Sequence, residues 1–298
     1  MQRRNFIRST AICAVAVSTS GFIRFDGNLY VGDCETTTDI LGPFYRPDSP
    51  LRSSLLIKGQ PGIPVELSGQ IKHSDCLTPY KKAKIELWHC SNEGVYDNKS
   101  DEYRYRGTAY SNDKGAYSFK TILPVPYDVG GGYIRPAHFH LMISAEGYQP
   151  LVTQLYFSGD NYIAKDNYAS SSSAKKRILN VQSVNDGSKK VVYDVSMSDK
   201  LIVEPTTIDK LAGIYTDEKN KSNKTEFFKK NNTLWKKNDV FGVNLDYIGN
   251  NTFQLGGLPA EKTPTFFFEV MDTGSAKLSI SSYDNKGEKK TTVSIKEK

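Results

Sequence analysis

From Val65 onward, apolar and polar residues alternate in short runs, seen in VELSGQI (65–71), AKIELWH (83–89), GAYSFKTI (115–122), VTQLYF (152–157) and KKVVYDVSM (189–197). A two-residue period places the apolar side chains on one face, which predicts half-buried strands. Turn chemistry separates the runs: Asp113, Lys114 and Gly115 form a hairpin signal, and Gly130, Gly131 and Gly132 form a flexible loop. Short strands at this spacing predict an antiparallel β-sandwich. The Ser170 to Ser173 run and the AKKR that follows it predict a surface loop leading into the last strand of the unit. Around Glu204, Pro205 and Thr206 the character changes, and a second set of short strands is predicted from Ile208 to the end. The expected fold is all-β throughout: a sandwich domain with an N-terminal arm over residues 23–204, then a small β-rich accessory domain over 205–298.

Composition narrows the class. The 298 residues suffice for one large and one small domain. With 24% charged and 38% hydrophobic residues, 18 Tyr and 14 Phe, the chain reads as globular rather than disordered. The net charge of +6 comes from dispersed Lys with no basic stripe among stacking aromatics, which argues against a nucleic-acid partner. Residues 1–22 carry Arg3 and Arg4, then Phe6 and Ile7, then the modestly apolar Ala11 to Val17. That pattern resembles a twin-arginine export signal, too short to span a bilayer, and it predicts a periplasmic protein. Removing it takes Cys13 and leaves Cys34, Cys76 and Cys90. An odd count permits one disulfide and one free thiol; Cys34 with Cys76 is the expected pair, Cys76 with Cys90 the alternative, and buried unpaired thiols the third reading.

The sharpest chemical feature is RPAHFH, which sets His138 and His140 two apart in a predicted strand, so that both imidazoles project from one face toward a common ion. An H-x-H pair alone is weak evidence. Its surroundings strengthen it: WHCSNEGVYDN from Trp88, DKGAYSFKTILPVPYDVGGGYIRPAHFHLMIS from Asp113, TQLYFSGD from Thr153, and upstream LGPFYRPDSPLRSSL from Leu41. In this order the segments resemble the intradiol ring-cleaving dioxygenases over roughly residues 36 to 200. The resemblance implies a prealbumin-like sandwich and a ferric ion, Fe(III), one per chain, with a catechol-type substrate and O2. It implies that Tyr96 is the tyrosinate ligand that stays on the metal, Tyr127 the one that leaves when substrate binds, and His138 and His140 the imidazole ligands. Arg135 matches the active-site arginine and Gln154 the glutamine lining the substrate pocket. Seven residues lie between Tyr127 and Arg135, fewer than in protocatechuate enzymes, which points to a different catechol. The arm before Val65 is too short for the helical dimerisation domain of catechol enzymes, so the architecture resembles one protocatechuate-type subunit, which does not fix the substrate and is compatible with a homo-oligomer.

The residue types suit the chemistry. A ferric ion favours anionic oxygen and lowers the pKa of a bound phenol, so two tyrosinates with two neutral imidazoles stabilise it. The two-His, one-carboxylate set of open Fe(II) sites has no suitably placed acid here. Most Tyr are core or surface aromatics, and Tyr103 or Tyr105 could be mistaken for ligands; spacing from Trp88 favours Tyr96. Arg135 as a plain ion-pair partner, and Gln154 as a residue that only satisfies backbone groups, are the bland readings. His73 and His89 have no partner motif and read as structural. Two competing functions stand beside the dioxygenase: a non-catalytic prealbumin-like binding module of an exported protein, and a copper or zinc hydrolase, which would lack a third ligand and a base.

Overall fold

The computed structural model describes residues 36–238, 242–255, 263–271, 275–284 and 288–297, together with the backbone of β1 (Ile23–Phe25) and β2 (Tyr30–Gly32), which pair antiparallel. Residues 1–22, where an export signal is expected, and Cys13 and Cys34 lie outside the described residues. The chain is mostly strand, as the alternating runs predict. No helix among the described residues is long and apolar enough to cross a membrane.

Two five-stranded sheets share one hydrophobic core. In the first, β4 (Lys84–Trp88), β5 (Arg106–Tyr110), β9 (His138–Ser144), β10 (Leu151–Phe157) and β11 (Ile178–Leu179) run in the order β11-β10-β9-β4-β5. The second is centred on β3 (Pro64–Lys72), with β6 (Ala116–Ile122) on one edge, and β13 (Lys189–Val192) and β14 (Val195–Ser196) on the other; β12 (Gln182–Ser183) pairs with β13. Ile85, Leu87, Phe139, Leu141, Ile143, Leu155 and Phe157 from the first sheet meet Val65, Leu67, Ile71, Phe119 and Val191 from the second. At about 25 cal/mol per Å2 of apolar surface removed from water, this shared core is the main favourable term holding the sheets together.

Three details depart from the expected pattern. The pairing is not antiparallel throughout: β13 and β14 run parallel to β3, and β11 runs parallel to β10. Parallel neighbours need a long crossover, which residues 158–177 provide between β10 and β11 and residues 73–188 between β3 and β13, and which a hairpin could not. The KKVVYDVSM run is two strands rather than one, broken at Tyr193 and Asp194. There Gly69 faces Tyr193, whose carbonyl oxygen would lie 1.8 Å from any Cβ at position 69. Residues Ser173–Arg177 are a 3-10 turn, not an exposed loop, with Ala174 and Arg177 buried; the Arg177 guanidinium is neutralised by buried Asp39.

Beyond residue 204 the expected opening strand is instead the helix α1 (Pro205–Leu211), started by Pro205 and burying Ile208 and Leu211, three positions apart. Among the described residues between Gly213 and Lys296, eight antiparallel strands close into a barrel. Its interior is filled by Tyr215, Phe227, Leu234, Leu245, Phe253, Phe266, Phe268 and Leu278, so it is a packed core rather than a cavity.

Candidate metal centre

The same two-residue period that fills the core builds a second face on the first sheet. While Phe139, Leu141 and Ile143 of β9 point into the core, His138 and His140 point the other way. Register aligns their neighbours: Trp88 of β4 and Gln154 of β10 both oppose His140, and Tyr156 opposes His138. The N-terminal arm covers this face, with Leu41, Phe44 and Tyr45 packing against Trp88, Cys90, Tyr96 and Tyr127. Gly42 is needed there, because at φ +73° a Cβ would sit 3.1 Å from His140 Cε1.

Tyr96 arrives from the loop after β4 and stacks on Phe44, with ring centroids 4.3 Å apart. Tyr127 lies on β7 (Tyr127–Asp128), which pairs with β8 (Ile134–Arg135), so Tyr127 and Arg135 are direct cross-strand partners. Gly94 gives Tyr127 room, since a Cβ at that position would lie 2.9 Å from the Tyr127 Cβ. The four side chains singled out as ligands therefore meet. His138 Nε2 is 3.1 Å from His140 Nε2, and Tyr96 Oη is 3.4 Å from His138 Nε2. The Tyr127 ring lies 5.4 Å from that of Tyr96 and 5.6 Å from that of His138, centroid to centroid. Tyr103 and Tyr105 do other work: Tyr103 lies under the Arg46 guanidinium and Tyr105 packs on His89. His89 is buried between Cys90 O and Thr121 Oγ1, and His73 contacts Tyr148, so both fit structural roles.

Protonation makes this a donor set suited to a cation. His138 Nδ1–H donates to Pro136 O at 2.6 Å, which leaves Nε2 with a bare lone pair facing the cluster. Burial, with Arg135 nearby, lowers the His138 pKa to about 3, and burial with His138 alongside holds His140 well below its ordinary value. Both imidazoles are neutral near pH 7. Burial raises both phenols, most strongly Tyr96, with Tyr127 adding to the effect. Neither phenol would ionise there without a nearby positive charge, and a highly charged metal supplies it. Among the described residues no group of three His, Cys, Asp or Glu gathers, and the rings beside the His pair include the phenols of Tyr96 and Tyr127.

Behind this cluster lies a polar network that the sequence did not reveal. Arg135 Nε donates to Asp166 Oδ2 at 2.6 Å and Nη2 to Gln154 Oε1 at 2.8 Å, while Gln154 Nε2 donates to Ile40 O of the arm. Tyr156 Oη lies 2.9 Å from Asp39 Oδ2, and Asp39 in turn pairs with Arg177. Tyr156 was within reach of sequence reasoning, since it stands two residues after Gln154 on the same strand face. Asp39, Asp166 and Arg177 sit in loops and turns, where no period marks them. Beside Tyr96 a cavity of about 400 Å3 is lined by Gln60, Ser91, Glu93, Val95, Asp97, Ser100, Arg104 and Tyr105. Cys76 is disulfide-bonded and Cys90 is a buried free thiol, which excludes a Cys76 to Cys90 bond; the expected partner Cys34 lies outside the described residues.

A family model described as "Dioxygenase" matches residues 40–199. The chain is 34% identical to the chlorocatechol 1,2-dioxygenase of Rhodococcus opacus over 154 residues, 44% of this chain and 60% of that protein. It is 34% identical to the catechol 1,2-dioxygenase of Candida albicans over 151 residues, 44% of this chain and 50% of that one. The chain thus spans 50% to 60% of the length of these curated relatives. Among solved structures, 3-chlorocatechol 1,2-dioxygenase from Rhodococcus opacus 1CP superposes with a TM-score of 0.51 at 21% identity, covering 55% of this chain and 74% of that one, a likeness of fold.

Proposed function

Because this chain belongs to the intradiol ring-cleaving dioxygenase family, we propose that it opens the ring of a catechol-type substrate between the two hydroxyl-bearing carbons with O2, to a muconate-type diacid. The observation that carries the reading is the gathering of the buried Tyr96 and half-buried Tyr127 phenols around two buried neutral imidazoles, with His138 Nε2 3.1 Å from His140 Nε2. Tyr96, Tyr127, His138 and His140 would hold one ferric ion. When bound, that ion would supply Lewis acidity and a template for the catechol oxygens. The rest falls to this chain's own side chains. Tyr127 Oη collects one catechol proton as it withdraws, which its place beside the glycine loop makes inexpensive. Arg135 puts a permanent positive charge beside the substrate ring and stabilises its electron-rich, ketonised form. The arm over Trp88 and His140 excludes water from the metal side.

The loop between Tyr127 and Arg135, residues 128–134, carries no Lys or Arg, and Arg135 itself is assigned to the reacting ring, which supports an uncharged or hydroxylated ring over a carboxylated one. A carboxylate buried without a dedicated cation is disfavoured. The sandwich with its arm, residues 23–204, would carry the chemistry, with residues 205–298 as an accessory β domain. Export directed by residues 1–22 belongs to the same proposal and is supported by the disulfide at Cys76, which needs an oxidising compartment. The binding-module reading gives no reason for a buried set of four metal donors. Purified, iron-loaded protein assayed with catechol, hydroxyquinol and protocatechuate is the test: catechol or hydroxyquinol should show the higher kcat/KM. Failure to cleave any of them would overturn the function, and a preference for protocatechuate would overturn the substrate assignment.

A further inference from the structure

Resting on the assignment of Arg135 to the substrate ring, we propose that Asp166 is the positioning residue that aims the Arg135 guanidinium, by holding its Nε edge. Asp166 is itself fixed before it meets Arg135. Its Oδ1 accepts the backbone N–H groups of Tyr168 and Ala169 at 2.8 and 2.7 Å. Its Oδ2 accepts Arg135 Nε–H at 2.6 Å and lies 3.3 Å from Tyr133 Oη. Tyr133 Oη already accepts the Asn167 N–H at 2.8 Å, so its own hydrogen is free to go to the carboxylate. Asp166 is fully buried, and every lone-pair direction it offers is used by a group of fixed geometry.

Arg135 is correspondingly boxed. Gln154 Oε1 takes Nη2 at 2.8 Å, and the Tyr168 ring lies 5.2 Å from the guanidinium carbon. The third nitrogen, Nη1, makes no hydrogen bond among the described residues. A planar fork gripped at Nε and Nη2 has no rotational freedom left, so its remaining edge is presented in one direction. The loop that supplies Asp166 also holds the chain just before the His pair, because Asp160 Oδ2 accepts the Ala137 N–H at 2.8 Å. One loop therefore sets both the cation and the start of the ligand strand. Small misplacements of such a group cost far more in rate than in substrate affinity.

A plain structural ion pair and a positioning residue are separated by a double-mutant cycle on kcat. Catechol cleavage is measured with iron-loaded wild type, D166N, R135A and the D166N/R135A pair, alongside iron content, visible spectrum and melting temperature. D166N keeps the side-chain size, removes the charge and presents an N–H to one of the present donors. It should lower kcat about ten- to a hundredfold with KM little changed, and add nothing to the loss already caused by R135A. Losses that multiply in the double variant, an unchanged kcat in D166N, or a loss traced to missing iron would overturn the proposal. If D166N does not fold, the D166E/R135A cycle replaces it, since D166E keeps the charge and moves it by one methylene. A wild type inactive on every catechol would sink the functional assignment and this inference together, whereas multiplicative losses in an active enzyme sink this inference alone.

Discussion

The imidazole of His140 lies almost parallel to the indole of Trp88, with ring centroids 4.8 Å apart and planes 9° apart. Strand register creates the pair, because Trp88 and His140 are directly opposed on β4 and β9. The stack matters because His140 Nδ1 has no hydrogen-bond partner among the described residues, so packing on Trp88 orients that side of the ring while Nε2 faces His138. Trp88→Ala should cost about 3–5 kcal/mol of stability and lower iron retention, while Trp88→Phe, which keeps an aromatic face, should retain more of both. Urea denaturation and the iron-to-protein ratio check this. Full iron occupancy in Trp88→Ala would show that the stack does not hold His140.

The two tyrosines have the same chemistry in different settings. Tyr96 is only 7% exposed and is clamped on Phe44, whereas Tyr127 is half-buried on a two-residue strand next to Gly130, Gly131 and Gly132, all at positive φ. Iron-loaded protein should show a visible tyrosinate-to-iron charge-transfer band. Tyr96→Phe should shift that band with and without substrate. Tyr127→Phe should keep iron bound and slow the formation of the catechol complex, read by anaerobic stopped-flow absorbance. Equal binding rates in Tyr127→Phe and wild type would reverse the assignment of the departing ligand.

Metal-free protein should lose stability in acid. Burial lowers His138 to about 3 and His89 to about 4, and places His140 well below its ordinary value. The unfolded chain takes up these protons below about pH 6.5 while the folded chain refuses them. The stabilisation is thus complete above that pH and is lost as pH falls toward the folded-state values. Each imidazole contributes at most about 1.4 kcal/mol per pH unit within that window. The melting temperature of metal-free protein should fall steadily from pH 7 to 5, and a flat or rising trend would contradict the buried neutral imidazoles.

Thiol chemistry reports on export. Cys90 is buried, and that burial pushes its thiol up to about 11, so it should resist thiol reagents in the folded protein and react once denatured. Protein recovered from the native host should lack residues 1–22, with Cys76 oxidised. Mass spectrometry that found Met1 retained and every thiol free would overturn both the export and the oxidising compartment.

The face on which each strand side chain lies was local information. The alternation in HFHLMIS sends Phe139, Leu141 and Ile143 to the core and the His pair to the opposite face, whatever else the chain does. The spacing from Trp88 favoured Tyr96 on equally local ground, because only the loop at 89–95 separates them. The short barrel strands after residue 212 were legible on the same ground, whereas Pro205–Leu211 is a helix because Pro205 and the buried pair Ile208 and Leu211 outweigh the expected strand. Long-range partners follow a different logic. Parallel pairing of β13 and β14 with β3 depends on the chain returning after residues 73–188 to a distant edge, and the burial of Arg177 depends on Asp39, 138 residues away. Asp166 reaches Arg135 across 31 residues through a loop that has no period at all. The sequence by itself determined which faces are apolar and that His138 and His140 share one face, because those follow from a two-residue repeat, while the choice of Tyr96 and Tyr127 beside them came from a family resemblance. Only the tertiary structure decided which charges meet in the interior, because a buried Arg and a buried Asp stabilise each other only when separate elements fold to bring them within hydrogen-bond distance.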